Sequence, residues 1–225
     1  MNQKNVGIYI FENMTMMDAY APLQFFAIVD EMNTFTFAKT DKPVMSDAGA
    51  LLTPHYGFEN CPQIDVLVVA GGGNTLEQMK DPEVIAFLQA VGAKAEYVTS
   101  VCTGSLILAE AGLLDGYKAA THWGYTDVLN AYRNVTQIDE RVVIDRNRIT
   151  GGGITAGLDF ALTIIAEVIN EQTAHAMQLL FEYRPEPPFN SGSPETAPPP
   201  VVEAVRAKID AIAGDLKAFA QVKAA

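Results

Sequence analysis

Cys102 lies between a β-rich run, residues 97–101, and the small-residue turn Thr103-Gly104-Ser105, which opens into apolar sequence. That order predicts a sharp strand-to-helix corner, the geometry that presents a nucleophile in hydrolase elbows. A helix starting behind the sulfur offers unpaired N–H groups and the positive end of its dipole. On that basis the cysteine is expected to titrate below the free value of about 8.5 and to act as a thiolate. Asp18 is the second candidate, a carboxylate inside the apolar stretch 14–23. It serves either as a helix N-cap or as a carboxyl beside the sulfur, its pKa raised by burial, passing protons to and from substrate.

Gly71-Gly72-Gly73 follows a short apolar strand, residues 65–70. It is either a plain strand-to-helix turn or, beside the elbow, half of an oxyanion hole, with the Thr103 N–H as the other half. Its spacing fits no phosphate loop. Gly151-Gly152-Gly153 reads as a close-packing turn opposite the nucleophile. His122, in Thr121-His122-Trp123, is either a hydrogen-bonded structural histidine or part of the site. The residue after Cys102 is Thr103, so no adjacent Cys-His pair of the peptidase type is encoded. Cys61, His55 and His175 have no motif around them and read as structural.

Alternating elements must position these residues. Strands are expected over 6–11, 35–40, 50–58, 65–70 and 97–101, with a hairpin over 142–150. Helices are expected over 14–32, interrupted near Pro22, from Pro82 with Asp81 as N-cap, over 103–111 and 124–133, and as one long helix over 155–183. Residues 184–200 contain seven prolines and read as an extended arm before a final amphipathic helix over 201–222. The pattern predicts one three-layer α/β sandwich with a mostly parallel sheet over 1–183. The arm and helix of 184–225 would pack on it or on a partner subunit. Ligands in such sheets bind beyond the carboxyl ends of the strands, where Asp18, Gly71–Gly73 and Cys102 all fall.

At 225 residues, 49 % hydrophobic and with 17 glycines and 12 prolines, the chain can bury a core without disulfides. A net charge of −12 argues against nucleic acid or an anionic membrane as partner. The two cysteines fit no metal spacing. The chain starts directly on a strand, without a secretory leader, and has no apolar run of about 20 residues, so a cytoplasmic location is expected.

Several blocks resemble the ThiJ/PfpI superfamily, of the flavodoxin-like, class I glutamine amidotransferase-like fold, and within it the isonitrile (isocyanide) hydratase branch. They are Val101-Cys102-Thr103-Gly104-Ser105, residues 111–117 (AGLLDGY) and Thr121-His122-Trp123. Val69-Ala70-Gly71-Gly72 is similar to the family's Pro-Gly-Gly turn with alanine for proline, and residues 150–160 (TGGGITAGLDF) to its late glycine-rich motif. The likeness covers about residues 5–183, and Asp18 stands where many superfamily members carry Glu.

The resemblance implies hydration of an isocyanide to an N-substituted formamide, without metal or organic cofactor, in a homodimer with its site near the interface. Cys102 would be the nucleophile and Asp18 the general acid and base. Thr103 and Gly72 would orient the sulfur and polar intermediates, while His122, Trp123 and Gly151 would line the substrate pocket. Two alternatives stand beside it: a glyoxalase- or deglycase-like enzyme acting on dicarbonyls, and a non-catalytic cysteine sensor of redox state or ligand. Regulators sharing the Cys-Thr-Gly block append a DNA-binding region of about 100 residues. One short helix after the arm is too little for that.

Overall fold

The structure, a computed structural model, describes residues 3–224. Residues 1, 2 and 225, which the expected boundaries 1–183 and 184–225 include, lie outside the described residues. Strand β1 (Lys4–Tyr9) leads through α1 (Met16–Phe26) to β2 (Met32–Phe37) and a small hairpin of β3 (Val44–Met45) and β4 (Leu51–Leu52). Then come β5 (Val66–Val69), α2 (Thr75–Lys80), α3 (Pro82–Gly92), β6 (Tyr97–Val101) and α4 (Gly104–Glu110). They are followed by β7 (Lys118–Ala119), α5 (Thr126–Asn130), β8 (Thr136–Gln137) and the hairpin β9 (Val142–Asp145) with β10 (Arg148–Gly151). Helices α6 (Ala156–Val168), α7 (Glu171–Leu180) and α8 (Pro199–Ala224) follow.

The main sheet runs β2-β1-β5-β6-β10-β9, parallel throughout except for β9, which returns antiparallel to β10. All four residues of β5 are buried, because helices cover both faces of the sheet. Helix α6 packs with both α1 and α7, whereas α2 packs with α3 and α4, so the molecule is the expected three-layer α/β sandwich. Parallel order sends β1, β5 and β6 to one rim, where Asp18 in the first turn of α1, the turn Gly71–Gly73 and Cys102 follow them.

Several expected elements are corrected. Helix α1 stops at Phe26, and Pro22 lies inside it without breaking it. Residues 50–58 form only the two-residue strand β4. The expected helix over 155–183 is two helices. Asn170 accepts a hydrogen bond from the Thr173 N–H at 2.8 Å and starts α7 afresh, as N-cap asparagines do. Asp81 does cap α3, accepting from the N–H groups of Glu83 and Val84. Helix α8 packs on α5, with the Arg206 guanidinium 4.9 Å from the Trp123 ring centre. Among the described residues, no helix is long and apolar enough to cross a membrane.

Candidate active site

Cys102 follows directly on β6 with φ 58°, a left-handed backbone that non-glycine residues rarely adopt. The surroundings hold it there. Its N–H donates to the carbonyls of Gly152 at 2.8 Å and Gly151 at 3.1 Å. Its own carbonyl accepts from the Ser105 hydroxyl at 3.1 Å and the Thr121 hydroxyl at 3.2 Å. Over-determined strain of this kind belongs to functional corners. Gly104 lets α4 start immediately behind, since a Cβ there would stand 2.1 Å from the Val69 carbonyl oxygen.

Asp18 is not the N-cap of α1. That position is Thr15, and Asp18 sits one turn in, fully buried. Its Oδ2 accepts from the Gly71 N–H at 3.1 Å, and its buried Oδ1 has no hydrogen-bond partner. Burial pushes its carboxyl up to about 7, against the opposing pull of the Gly71 N–H and the facing Cys102 side chain. A Cβ on Gly71 would lie 2.5 Å from the Thr103 nitrogen and 3.0 Å from Asp18 Oδ2, so only glycine allows turn, elbow and acid to meet.

The expected low thiol pKa is overturned. Cys102 is 6 % exposed, and burial together with the Asp18 carboxylate raises its thiol well above the ordinary range. The Thr103 N–H and hydroxyl oppose that rise without cancelling it. Carboxyl and sulfur therefore behave as one coupled pair, which resists carrying two negative charges at once.

The glycine turn also departs from expectation. Gly71 N–H is engaged by Asp18, Gly72 N–H by the Thr103 hydroxyl at 3.0 Å, and Gly73 N–H by the Asn13 carbonyl at 2.9 Å. No N–H of the turn is left to form an oxyanion hole, so Gly72 positions Thr103 instead. The Thr75 hydroxyl donates to the Gly72 carbonyl at 2.8 Å and lies 2.7 Å from the Thr103 hydroxyl. Thr75 has one hydroxyl proton, so while it donates to the Gly72 carbonyl it accepts from Thr103, whose own proton is shared between Thr75 and the sulfur. Gly72, Thr103 and Thr75 thus close a ring of hydrogen bonds beside the sulfur. Thr75 is marked by no motif; the Thr121 clamp lies in the Thr121-His122-Trp123 block.

His122 accepts from the Gly124 N–H at 3.1 Å through Nδ1, and burial lowers its pKa, so the ring is neutral and Nε2 carries its proton. It lies beside Trp123, ring centres 5.7 Å apart. Both line a cleft of about 620 Å³ with Gly152, Gly153, Ile154 and the arm residues 192–195. Gly151 is not part of that wall. It is buried in β10, and its carbonyl holds the Cys102 N–H instead. Cys61 is half-buried, with its thiol pushed up to about 11 by burial, as a packing residue should be. Among the described residues there is no cluster of three or more His, Cys, Asp or Glu placed to hold a metal ion.

The model of the DJ-1/PfpI family matches residues 4–167. The chain belongs to the DJ-1/PfpI family. Within the family, it is 44 % identical over 201 residues to an isonitrile hydratase of Pseudomonas putida, covering 89 % of this chain and 88 % of that protein. It is 29 % identical over 189 residues to the HTH-type transcriptional regulator GbdR of Pseudomonas aeruginosa, covering 81 % of this chain but only 51 % of the regulator. Among solved structures, a ThiJ/PfpI family protein from Pseudomonas syringae superposes with a TM-score of 0.90 at 41 % identity, over 100 % of this chain and 91 % of that one.

Proposed function

We propose that this chain is an isonitrile hydratase, converting R–N≡C and water to the formamide R–NH–CHO. The observation that carries the reading is the buried Asp18–Cys102 pair, in a chain 44 % identical to a protein of that activity. Water and the uncatalysed carbon need two proton deliveries and one temporary bond. A coupled acid and thiol supply all three.

The sulfur attacks the terminal carbon as the pair's proton, passed through Asp18, is delivered to that same carbon, giving the thioimidate Cys102–S–CH=N–R. Asp18, now a carboxylate, takes a proton from water while the hydroxyl adds to the carbon. The nitrogen then receives that proton from Asp18. As the carbon–oxygen double bond forms, the carbon–sulfur bond breaks, and the hydroxyl proton returns through Asp18 to the pair. Thr103 steadies the sulfur through its N–H, and the neutral His122 and Trp123 form part of the wall for R.

Burial and a raised thiol pKa disfavour the sensor reading, because easily oxidised sensor cysteines are exposed thiolates. The protein is proposed to act without metal or organic cofactor, as a cytoplasmic homodimer. Leu179 and Leu180, 82 % and 65 % exposed on α7, are apolar surface that a second copy would cover. Formamide production from a panel of isonitriles tests the activity. Absence of turnover with every member, alongside turnover of methylglyoxal, would replace it by the dicarbonyl reading.

A further inference from the structure

The short hairpin of β3 and β4 has no part in the chemistry above, yet it is docked along the loop that leads from β1 into α1. The Asn13 N–H donates to the Met45 carbonyl at 2.7 Å, the Met45 N–H to Glu12 Oε2 at 2.8 Å, and the Asp47 N–H to the Met14 carbonyl at 2.9 Å. The turn of the hairpin is fixed as well, since the Ser46 hydroxyl accepts from the Ala50 N–H at 3.1 Å and Gly49 takes φ 77°. That fit lays the Asp47 carboxylate on the N-terminus of α1, where its Oδ1 accepts from the Met16 N–H at 3.0 Å. Thr15, the N-cap residue, makes no side-chain cap of its own. The hairpin supplies the missing cap from 31 residues away in the chain.

Asp18 occupies the first turn of the same helix. An acidic side chain there is ordinarily held as the anion, because the unpaired N–H groups and the helix dipole present positive charge. The reaction needs the opposite, a carboxyl that holds a proton to deliver. We infer that Asp47 is a positioning residue that keeps Asp18 in its acid form: its exposed carboxylate takes up an N–H at the head of α1, offsets the positive end of the helix and sets a like charge near the buried acid. That like charge acts in the same direction as burial, against the Gly71 N–H and the Cys102 side chain. The neighbouring charges are engaged elsewhere. On α6, packed along α1, Asp159 is paired with Arg141 and Glu167 is exposed. Glu12 holds the Met45 N–H, and Tyr125 lies within range of the Cys102 charge. The catalytic consequence rests on the hydratase reading, whereas the titration of Asp18 does not.

Substitution by asparagine removes the charge and retains an acceptor for Met16. Carbon-13 NMR of the aspartate carboxyls, with the Asp18 signal assigned by its absence in Asp18→Asn, reads the titration without turnover. The wild-type midpoint of about 7 should fall by about 0.5 unit in Asp47→Asn, the size of one charge at a helix terminus, and stay within about 0.2 unit in Asp47→Glu. Asp47→Ser, a second neutral cap, gives the same reading where asparagine does not fold. On cyclohexyl isonitrile, kcat/KM should rise with pH through the same midpoint, so Asp47→Asn should be about threefold faster than wild type at pH 5.5 and equal to it at pH 8.5. Loss of a merely structural cap would slow the enzyme at every pH. A midpoint lowered by less than about 0.2 unit in both neutral variants overturns the inference. So does turnover that fails to quicken at pH 5.5. A lowered midpoint in a protein that turns over no isonitrile would sink the hydratase reading and leave the role of Asp47 standing.

Discussion

Replacing Asp18 by Asn should change how stability depends on pH, by an amount the structure sets. The side chain is fully buried, and its carboxyl titrates at about 7 in the folded protein against an ordinary 3.8. A pKa raised on folding means that the native state favours the protonated form. The resulting stabilisation is complete below about pH 3.8 and is lost as pH rises through about 7. Each pH unit of that interval corresponds to about 1.4 kcal/mol, so the wild type loses about 4 kcal/mol through this group. Asparagine does not titrate, and its amide oxygen can still accept from Gly71. Denaturant unfolding of both proteins at pH 4 and pH 8, at one protein concentration, measures the effect. The stability of Asp18→Asn minus that of wild type should increase by about 4 kcal/mol between the two pH values. Any constant penalty for burying the amide cancels in that double difference. A change below about 1 kcal/mol would mean that Asp18 ionises freely, and the coupled pair would be refuted.

Other consequences are accessible to simple assays. For wild type, kcat/KM on an isonitrile should rise with pH through about 7, because one proton must leave the Asp18–Cys102 pair before sulfur can attack; a profile flat from pH 5 to 8 contradicts this. Gly71→Ala drives a Cβ to 2.5 Å from the Thr103 nitrogen and should cost about 1–3 kcal/mol in denaturant unfolding, with turnover reduced at least tenfold as Asp18 and Thr103 separate. Thr75→Val removes the acceptor that competes with the sulfur for the Thr103 proton. Alkylation of Cys102 by iodoacetamide, followed by peptide mass spectrometry, should speed up about fivefold, the equivalent of one ordinary hydrogen bond of ~1 kcal/mol. An unchanged or slower rate would refute the closed ring.

What could be read from the residues alone divides along physical lines. The elbow was legible because strand, small-residue turn and helix are adjacent in the chain, and the positive φ of Cys102 is a local consequence. Asp18 was conspicuous as a lone charge among methionines and aromatics, and parallel strand order brought it to the same rim. The thiol pKa was misjudged because the chain shows a helix start but not how deeply the sulfur is buried. The Gly72 N–H was misassigned because its partner, the Thr103 hydroxyl, lies 31 residues away. Thr75 escaped notice for a similar reason, since its ring closes only when α2 meets the elbow. The break at Asn170 was hidden by helix-forming sequence on both sides, where a single side-chain cap decides the outcome.

The covalent step is the centre of the account, and rapid quenching into acid during turnover of cyclohexyl isonitrile tests it most directly. Peptide mass spectrometry should find the mass of one intact isonitrile on Cys102 in wild type, with the adduct lost and turnover abolished in Cys102→Ala. Formamide production by Cys102→Ala at a rate near wild type, or turnover with no adduct on Cys102 at any quench time, would contradict it.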